Sequence, residues 1–383
     1  LNFKKIGIIG GGQLGKMMIL EGKKLGLHFT VLDPSQDCPA FSITDEYIEG
    51  NFYDKDKIRT LAEVTDLITY EFEHIDADIL MELREEGYKI YPTPSTLKII
   101  QDKFQQKSFL KQCNIPVPAF EAVDSVEGIH TAVEKYGLPL LLKSCRGGYD
   151  GKGNYLIKQR EEVLNAYHTL GGDTAQLMVE AFVPFIKEIS VVVARGIDGE
   201  IKVYPLAENI HENNILKTTI VPARVNKVAA YKAQALALKT MEQLKGVGIF
   251  CVEMFVDAKD EVLINEIAPR THNSGHYTIE ACSISQFAQH IRAILGLPLG
   301  ETKLLKPAVM INLLGEDGYD GRAKIIGVEE IMGISEAYLH FYGKTFTQPE
   351  RKMGHVTVLA DDIDSALSKG KKVSELMRII AED

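Results

Sequence analysis

A short apolar run, residues 5–9, leads directly into Gly10-Gly11-Gly12-Gln13-Leu14-Gly15 and then into a stretch of helical periodicity over residues 14–25. Glycines between a strand pattern and a helix pattern restrict the chain severely. It must turn sharply and open a helix whose first amides have no partner within the helix. Such amides attract an anion. Asp33 follows the next strand pattern, residues 29–32, so the G-x-G-x-x-G spacing satisfies the fingerprint of dinucleotide-binding α/β units. The pattern does not say which phosphate is bound. A nicotinamide-dependent dehydrogenase is one reading, and a purely structural tight turn is another. Further strand patterns at 67–70 and 89–91, the last stopped by Pro92 and Pro94, alternate with helical ones. That alternation predicts a parallel sheet with right-handed crossovers.

Beyond Pro94 the texture changes. Residues 96–113 read as one lysine-rich amphipathic helix, broken by Asn114-Ile115-Pro116-Val117-Pro118. A smaller α/β segment follows over 119–183, then β-rich runs over 188–267 with a helix near 229–245. After Pro298 and Pro307 come short strands with turns at Gly315 and Gly343, expected to form a separate C-terminal lobe. A chain of 383 residues suggests two to three domains. The net charge of −10 argues against a nucleic-acid partner. No apolar run approaches the ~20 residues that span a bilayer, and the first nine residues lack a signal peptide's apolar stretch. Cys38, Cys113, Cys145, Cys251 and Cys282 are odd in number and scattered, with no C-x-x-C pair. This fits a reducing cytoplasm, with the cysteines packed as small hydrophobes.

The middle of the chain carries a second nucleotide site. Lys103 opens the lysine-rich segment and Lys143 ends the buried strand pattern of residues 140–143; an ammonium at a strand end suits phosphate oxygens. Residues 144–153, SCRGGYDGKG, hold four glycines within seven positions, so the backbone can approach a polyphosphate and the loop can close over a reacting group. Glu180-Ala181-Phe182-Val183 lies at a strand end with Glu188 shortly after, where backbone groups can meet an adenine edge and a carboxylate the ribose hydroxyls. Two strands, 249–256 and 261–267, flank the turn Asp257-Ala258-Lys259-Asp260. If that turn pairs Val256 with Glu261, Glu253 faces Ile264 and Glu266 lies on the same face. Two inward carboxylates require a cation, and oxygen-only ligation suits Mg2+.

This ordered set resembles the ATP-grasp superfamily. Within it, GGGQLGKM (10–17), YEFE (70–73), GYDGKG (148–153), AENIH (207–211), NEIAPRTHNSGHYTIE (265–280) and RKMGHV (351–356) resemble the carboxyaminoimidazole ribonucleotide synthetases over nearly the whole chain. The resemblance implies an α/β fold of three domains: an N-terminal parallel pre-ATP-grasp domain (1–97), an ATP-grasp domain (98–300) with a mobile lid near 119–183, and a small C-terminal domain (301–383). It implies ATP on Lys103, Lys143, Gly148, Tyr149, Asp150, Gly151, Lys152, Gly153, Asn154, Glu180, Ala181, Phe182, Val183, Glu188, His211, Asn265 and Glu266, with Mg2+ on Glu253 and Glu266. The implied co-substrates are bicarbonate and 5-aminoimidazole ribonucleotide, and the implied assembly is a homodimer. Two departures stand out. Ala268 occupies a position where many ATP-grasp enzymes have Asn, and Thr271 follows Arg270 where the family string has Pro.

On this reading bicarbonate attacks the γ-phosphorus of ATP to give carboxyphosphate, which releases CO2 to the substrate amine in a closed site. Arg270, His272 and Asn273 are candidates for holding bicarbonate, Asp150 for accepting the amine proton, and Tyr149 and Lys152 for acting within the closing loop. Gly12, Gln13 and Leu14, with Lys344, Arg351 and Lys352, are candidate anchors for the ribonucleotide phosphate, and Glu73 for its ribose. Formate-dependent phosphoribosylglycinamide formylation shares the layout and stays open, as does a non-catalytic nucleotide sensor.

Overall fold

The computed structural model describes residues 4–148 and 153–382. The strands β1 (Lys5–Ile9), β2 (His28–Asp33), β3 (Glu46–Glu49) and β4 (Leu67–Tyr70) form a parallel sheet in the order β3-β2-β1-β4, with helices α1 (Gln13–Lys23), α2 (Lys55–Val64) and α3 (Ala77–Glu85) as connections or covers. The strand expected at 89–91 shrinks to a single bridge between Ile68 and Ile90. Pro92 and Pro94 have no amide to give a ladder, and Pro94 instead opens a helix.

The single helix expected over 96–113 is two: α4 (Pro94–Gln101) and α5 (Lys103–Gln112). Asp102 stands between them in an extended conformation. Its carboxylate accepts from the amides of Phe104 and Gln105, each at 3.0 Å. A short acidic side chain gains more by capping a new helix than by continuing an old one. The second face of Asp102 accepts from Arg146 Nε at 3.1 Å. This break aims Lys103 and Lys107 along α5 instead of along a continuous rod.

Residues 119–183 contain the sheet β5-β8-β6-β7, made of β5 (Phe120–Val123), β6 (Leu140–Ser144), β7 (Asn154–Ile157) and β8 (Leu177–Ala181), backed by α6 (Val126–Tyr136) and α7 (Val163–Thr169). The glycine-rich loop joins β6 to β7. The large sheet runs β14-β13-β9-β11-β12-β15-β19-β17, with β10 paired to β9. Its strands are β9 (Phe185–Arg195), β10 (Ile201–Val203), β11 (Ala207–Glu212), β12 (Ile215–Val221), β13 (Gly248–Asp257), β14 (Val262–Ala268), β15 (Ala308–Leu314), β17 (Ala337–Phe341) and β19 (Lys352–Leu359). Three strands past residue 300 thus continue the central sheet. β16 (Gly321–Ile326), β18 (Phe346–Thr347) and β20 (Arg378–Ala381) form a small sheet of their own.

Helices α8 (Lys227–Leu244), α9 (Thr278–Ala281) and α10 (Gln286–Leu295) complete the middle of the chain. Phe287, Ile291 and Ile294 of α10 are buried in one cluster with Ile6 and Ile8 of the first sheet, Leu14 of α1 and Tyr342. Buried His290 links the same layers: its Nε2 lies 2.8 Å from Thr69 Oγ1, and its Nδ1 accepts from the Ile249 amide at 3.1 Å. The first sheet, the central sheet and the C-terminal strands therefore share a boundary, and a cleft opens along it.

Replacing Asp102 by Ala removes the α5 cap and the Arg146 partner. We expect a loss of about 1 kcal/mol, read as a lower urea midpoint at an unchanged m-value. An unchanged midpoint would show that the break in the helix does not depend on this cap.

Candidate functional site

The cleft encloses about 760 Å³, within the range of small-molecule sites. Its floor is the β13–β14 pair. Val256 pairs with Val262, and an irregularity between Glu253 and Met254 shifts the ladder so that Glu253 lies directly opposite Glu266. The sequence-based pairing of Val256 with Glu261 is corrected by one residue at the turn and one more at the bulge. The five-residue reversal closes with the Asp257 amide bonded to the Glu261 carbonyl at 3.0 Å. The net effect brings the two carboxylates closer than the simple register allows.

Each carboxylate meets a different environment. Burial raises the Glu253 carboxyl, but the neighbouring His272 more than offsets this and holds it down at about 2. His272 Nε2 is 2.8 Å from Glu253 Oε1. Glu266, open to the cleft, goes the other way: crowding by protein and then the facing Glu253 raise it. The donors are oxygen-only and the pair is electrostatically under-compensated, so Glu253 and Glu266 fit a hard divalent cation.

One end of the cleft gathers cationic groups on α5 and β6. Lys103 and Lys143 both line it. Burial lowers Lys103, with Glu266 pulling back. Glu180 does not face the cleft; its buried carboxylate lies 2.8 Å from Lys107 Nζ and 3.2 Å from Lys143 Nζ. Burial raises Glu180, and the two lysines outweigh it. Burial brings Lys107 down to about 8 against Glu180. Lys107 escaped the sequence reading, although it stands four residues after Lys103 and so on the same helix face. Gln106, also missed, fixes α5 to β14 by accepting from the Ile267 amide at 2.9 Å.

Gly148, Asn154, Glu188, His211 and Asn265 line the same cleft as the lysines. Glu188 and His211 are hydrogen-bonded to each other. Burial lowers His211, and Glu188 overrides this to raise it. Ala181 ends β8, and Phe182 and Val183 run between β8 and β9; with Gly153 they are not among the lining residues. Tyr149, Asp150, Gly151 and Lys152 lie outside the described residues.

At the other end, Arg270 Nε donates to Glu73 Oε2 at 2.6 Å and Nη2 to Oε1 at 3.1 Å. This bidentate pair ties the segment after β14 to the first domain and uses the carboxylate expected to meet a ribose. Burial raises Glu73, and Arg270 pulls it down to about 2. Asn273 also lines the cleft, and both polar atoms of its side chain are buried without a protein partner. Arg270, His272 and Asn273 therefore converge beside the acidic floor.

The first glycine loop holds an internal anion. Glu71 accepts from the Gly12 amide and, at 2.7 Å, from the Gly15 amide. Asp33 accepts from the Gly11 amide at 2.8 Å. Gly10 has φ +97°, and a Cβ on Gly10 or Gly12 would run into Glu71. The fingerprint thus encloses a carboxylate, and the dinucleotide reading loses its pyrophosphate seat. Gly12 is likewise not free to bind a substrate phosphate, whereas Gln13 and Leu14 line the cleft. Lys352 lines it too. Lys344 Nζ donates to the Lys352 carbonyl at 2.7 Å and Arg351 Nη1 to the Phe346 carbonyl at 2.8 Å, so these two stand behind the wall. Burial lowers Lys344 to about 8.

Three family models match the chain in order: a ribonucleotide synthetase pre-ATP-grasp domain (residues 3–101), an ATP-grasp domain (108–287) and a phosphoribosylaminoimidazole carboxylase C-terminal domain (308–369). The N5-carboxyaminoimidazole ribonucleotide synthase of Bacillus subtilis is 45% identical over 360 residues, covering 94% of this chain and 92% of that protein. The crystal structure of the Thermotoga maritima synthetase superposes with a TM-score of 0.91 at 48% identity, covering 99% of this chain and all of that one. An Aspergillus clavatus synthase crystallised with ADP and 5-aminoimidazole ribonucleotide superposes with a TM-score of 0.89 at 34% identity, covering 98% of each chain.

The Glu73 carboxyl titrates below its ordinary range of about 4.5. Its stabilisation is therefore complete above that value and is lost as pH falls through about 2. Glu73→Gln should lower stability at pH 7 by about 2–3 kcal/mol and flatten the unfolding profile between pH 5 and 2. An equal acid loss in the variant would remove the Arg270 pair as its source.

Proposed function

The chain belongs to the N5-carboxyaminoimidazole ribonucleotide synthase family, and on that premise we propose how its cleft performs the reaction. It is an ADP-forming, ATP-dependent ligase that carboxylates 5-aminoimidazole ribonucleotide in purine biosynthesis. Family membership over nearly the full length decides against the formylation and sensor readings. The observation that carries the site reading is the opposed pair Glu253–Glu266, with lysines at one end and Arg270, His272 and Asn273 at the other.

The ATP polyphosphate lies between Lys103 and Lys143 above and the acidic pair below. Glu253 and Glu266 would hold Mg2+, which when bound would supply charge neutralisation for the transferring phosphoryl group. The two lysines act as fixed positive charges along the polyphosphate and stabilise charge shifting toward the leaving ADP. Glu180 is too deeply committed to Lys107 and Lys143 to meet adenine with its side chain; only the backbone of residues 180–183 is left for that role. Glu188, paired with His211, meets the ribose hydroxyls in this reading.

A bicarbonate oxygen attacks the γ-phosphorus, the bond to the ADP oxygen breaks, and carboxyphosphate forms. Arg270 and the imidazolium of His272 hold the anion, with the Asn273 amide completing its hydrogen bonds. Burial lowers His272, but the flanking Cys251 and Glu253 override this and raise it to about 10, so it is cationic at neutral pH. Carboxyphosphate releases CO2 and phosphate. The exocyclic amine adds to CO2, and Asp150 takes the amine proton. Tyr149 and Lys152, in the same loop, limit escape to water. Gln13, Leu14 and Lys352 face the ribonucleotide phosphate, with Lys344 and Arg351 supporting from behind.

The three domains divide at about 97/98 and 300/301, with the lid over 119–183, and the protein works as a homodimer in the reducing cytoplasm. The described cysteines are all free thiols, and no helix among the described residues is long and apolar enough to cross a membrane.

ADP release from ATP and bicarbonate should rise strongly on adding 5-aminoimidazole ribonucleotide. Glu266→Ala should reduce turnover by at least about a hundredfold, and chelation of Mg2+ should abolish it reversibly. Near-normal turnover by Glu266→Ala would overturn the metal assignment.

A further inference from the structure

Cys251, Glu253 and His272 form a cluster that the reaction does not account for. Each offers a ligand atom, and these atoms lie within 4.8 Å of one another. Cys251 and Glu253 stand two residues apart on β13, so both point to the same face. His272 reaches over them from the segment after β14. Ser274 Oγ lies 2.9 Å from His272 Nδ1 and 3.6 Å from Cys251 Sγ, so one hydroxyl orients both soft donors. Ser190 Oγ in turn donates to Ser274 at 2.9 Å and accepts from Asn209 Nδ2 at 2.8 Å. Outer hydrogen bonds of this kind are what fix ligands around a metal.

We propose that Cys251, Glu253 and His272 form a second cation site, selective for thiophilic divalent metals such as Zn2+. Thiolate, imidazole and carboxylate supply three corners of a tetrahedron, and the fourth opens to the cleft for water or a phosphate oxygen. Mg2+ does not compete for a thiolate, whereas Zn2+ favours it. The ion enters from the cleft, which Glu253 and His272 line while Cys251 lies wholly buried behind them.

The consequence for catalysis rests on the function proposed above. Glu253 belongs to both cation sites, and His272 belongs to both the zinc site and the anion site. Bound Zn2+ therefore removes a Mg2+ ligand and a bicarbonate contact together, which makes zinc an inhibitor that added Mg2+ relieves.

The test is direct binding of Co2+ to the whole protein without nucleotide. One equivalent should produce a thiolate-to-cobalt charge-transfer band that Zn2+ abolishes. Cys251→Ala should lack the band and Cys145→Ala, at a cysteine that lines the cleft, should keep it. If Cys251→Ala does not fold, His272→Gln is the substitute and should lose tetrahedral cobalt binding. Zinc inhibition of Mg2+-supported ADP release should weaken at least about tenfold in Cys251→Ala. No band in the wild-type protein, or an equal band in Cys251→Ala, overturns the site. Because the band is read without turnover, a failure of the substrate assignment would leave this result standing on its own.

Discussion

Two glutamates forced to face each other across β13 and β14 set the terms for everything around the cleft. Like charges directly opposed on one sheet face repel, and burial makes that repulsion worse. The structure answers from both sides. His272 and Arg270 come from the segment following β14, and Lys103 and Lys143 come from α5 and β6. The acidic floor is thus the reason the cations collect there, and the remaining imbalance falls on Glu266, the residue most in need of a further positive charge. A bulge between Glu253 and Met254 creates the face-to-face register. A bulge re-aims a side chain at the cost of one ladder position, and such defects concentrate beside active sites.

The anionic substrates have to approach this floor without being repelled by it. Glu73 does not stay free to oppose them, because Arg270 takes both of its oxygens. Glu180 likewise spends its charge on Lys107 and Lys143 inside the protein. Lys107 sits behind Lys143 and compensates the buried carboxylate, which leaves Lys103 and Lys143 with a net positive field at the cleft wall. Residues that touch no substrate therefore decide the sign of the potential that a polyphosphate meets.

Much of this was legible in the sequence. The strand–glycine–helix opening gave the parallel first sheet, the two carboxylates were placed on neighbouring strands facing one way, and Arg270, His272 and Asn273 did converge beside them. What could not be read followed from longer-range contacts. The register of β13 and β14 depends on a bulge that alternation alone does not reveal. The break at Asp102 is decided by capping in competition with helix continuation, and both choices satisfy the apolar periodicity over 96–113. The roles of Glu71 and Glu73 depend on partners 56 and 197 residues away. Glu73 looked like a ligand for the ribose because its protein partner was invisible, and Glu71 drew no attention for the same reason.

The glycine loop shows why a local motif underdetermines chemistry. Its geometry requires an anion near the α1 N-terminus, and in a dinucleotide enzyme that anion would belong to the cofactor. Here Glu71 arrives from the end of β4 and takes the Gly12 and Gly15 amides, while Asp33 takes the Gly11 amide. The motif's electrostatic demand is met within the fold, so the loop acts first as a joint between β1, α1 and β4. Gln13 and Leu14, beyond the enclosed glycines, line the cleft together with Lys352. The same glycine spacing that seats a pyrophosphate in one context is filled from within in another, and the deciding residue is a glutamate nearly sixty positions away from the glycines.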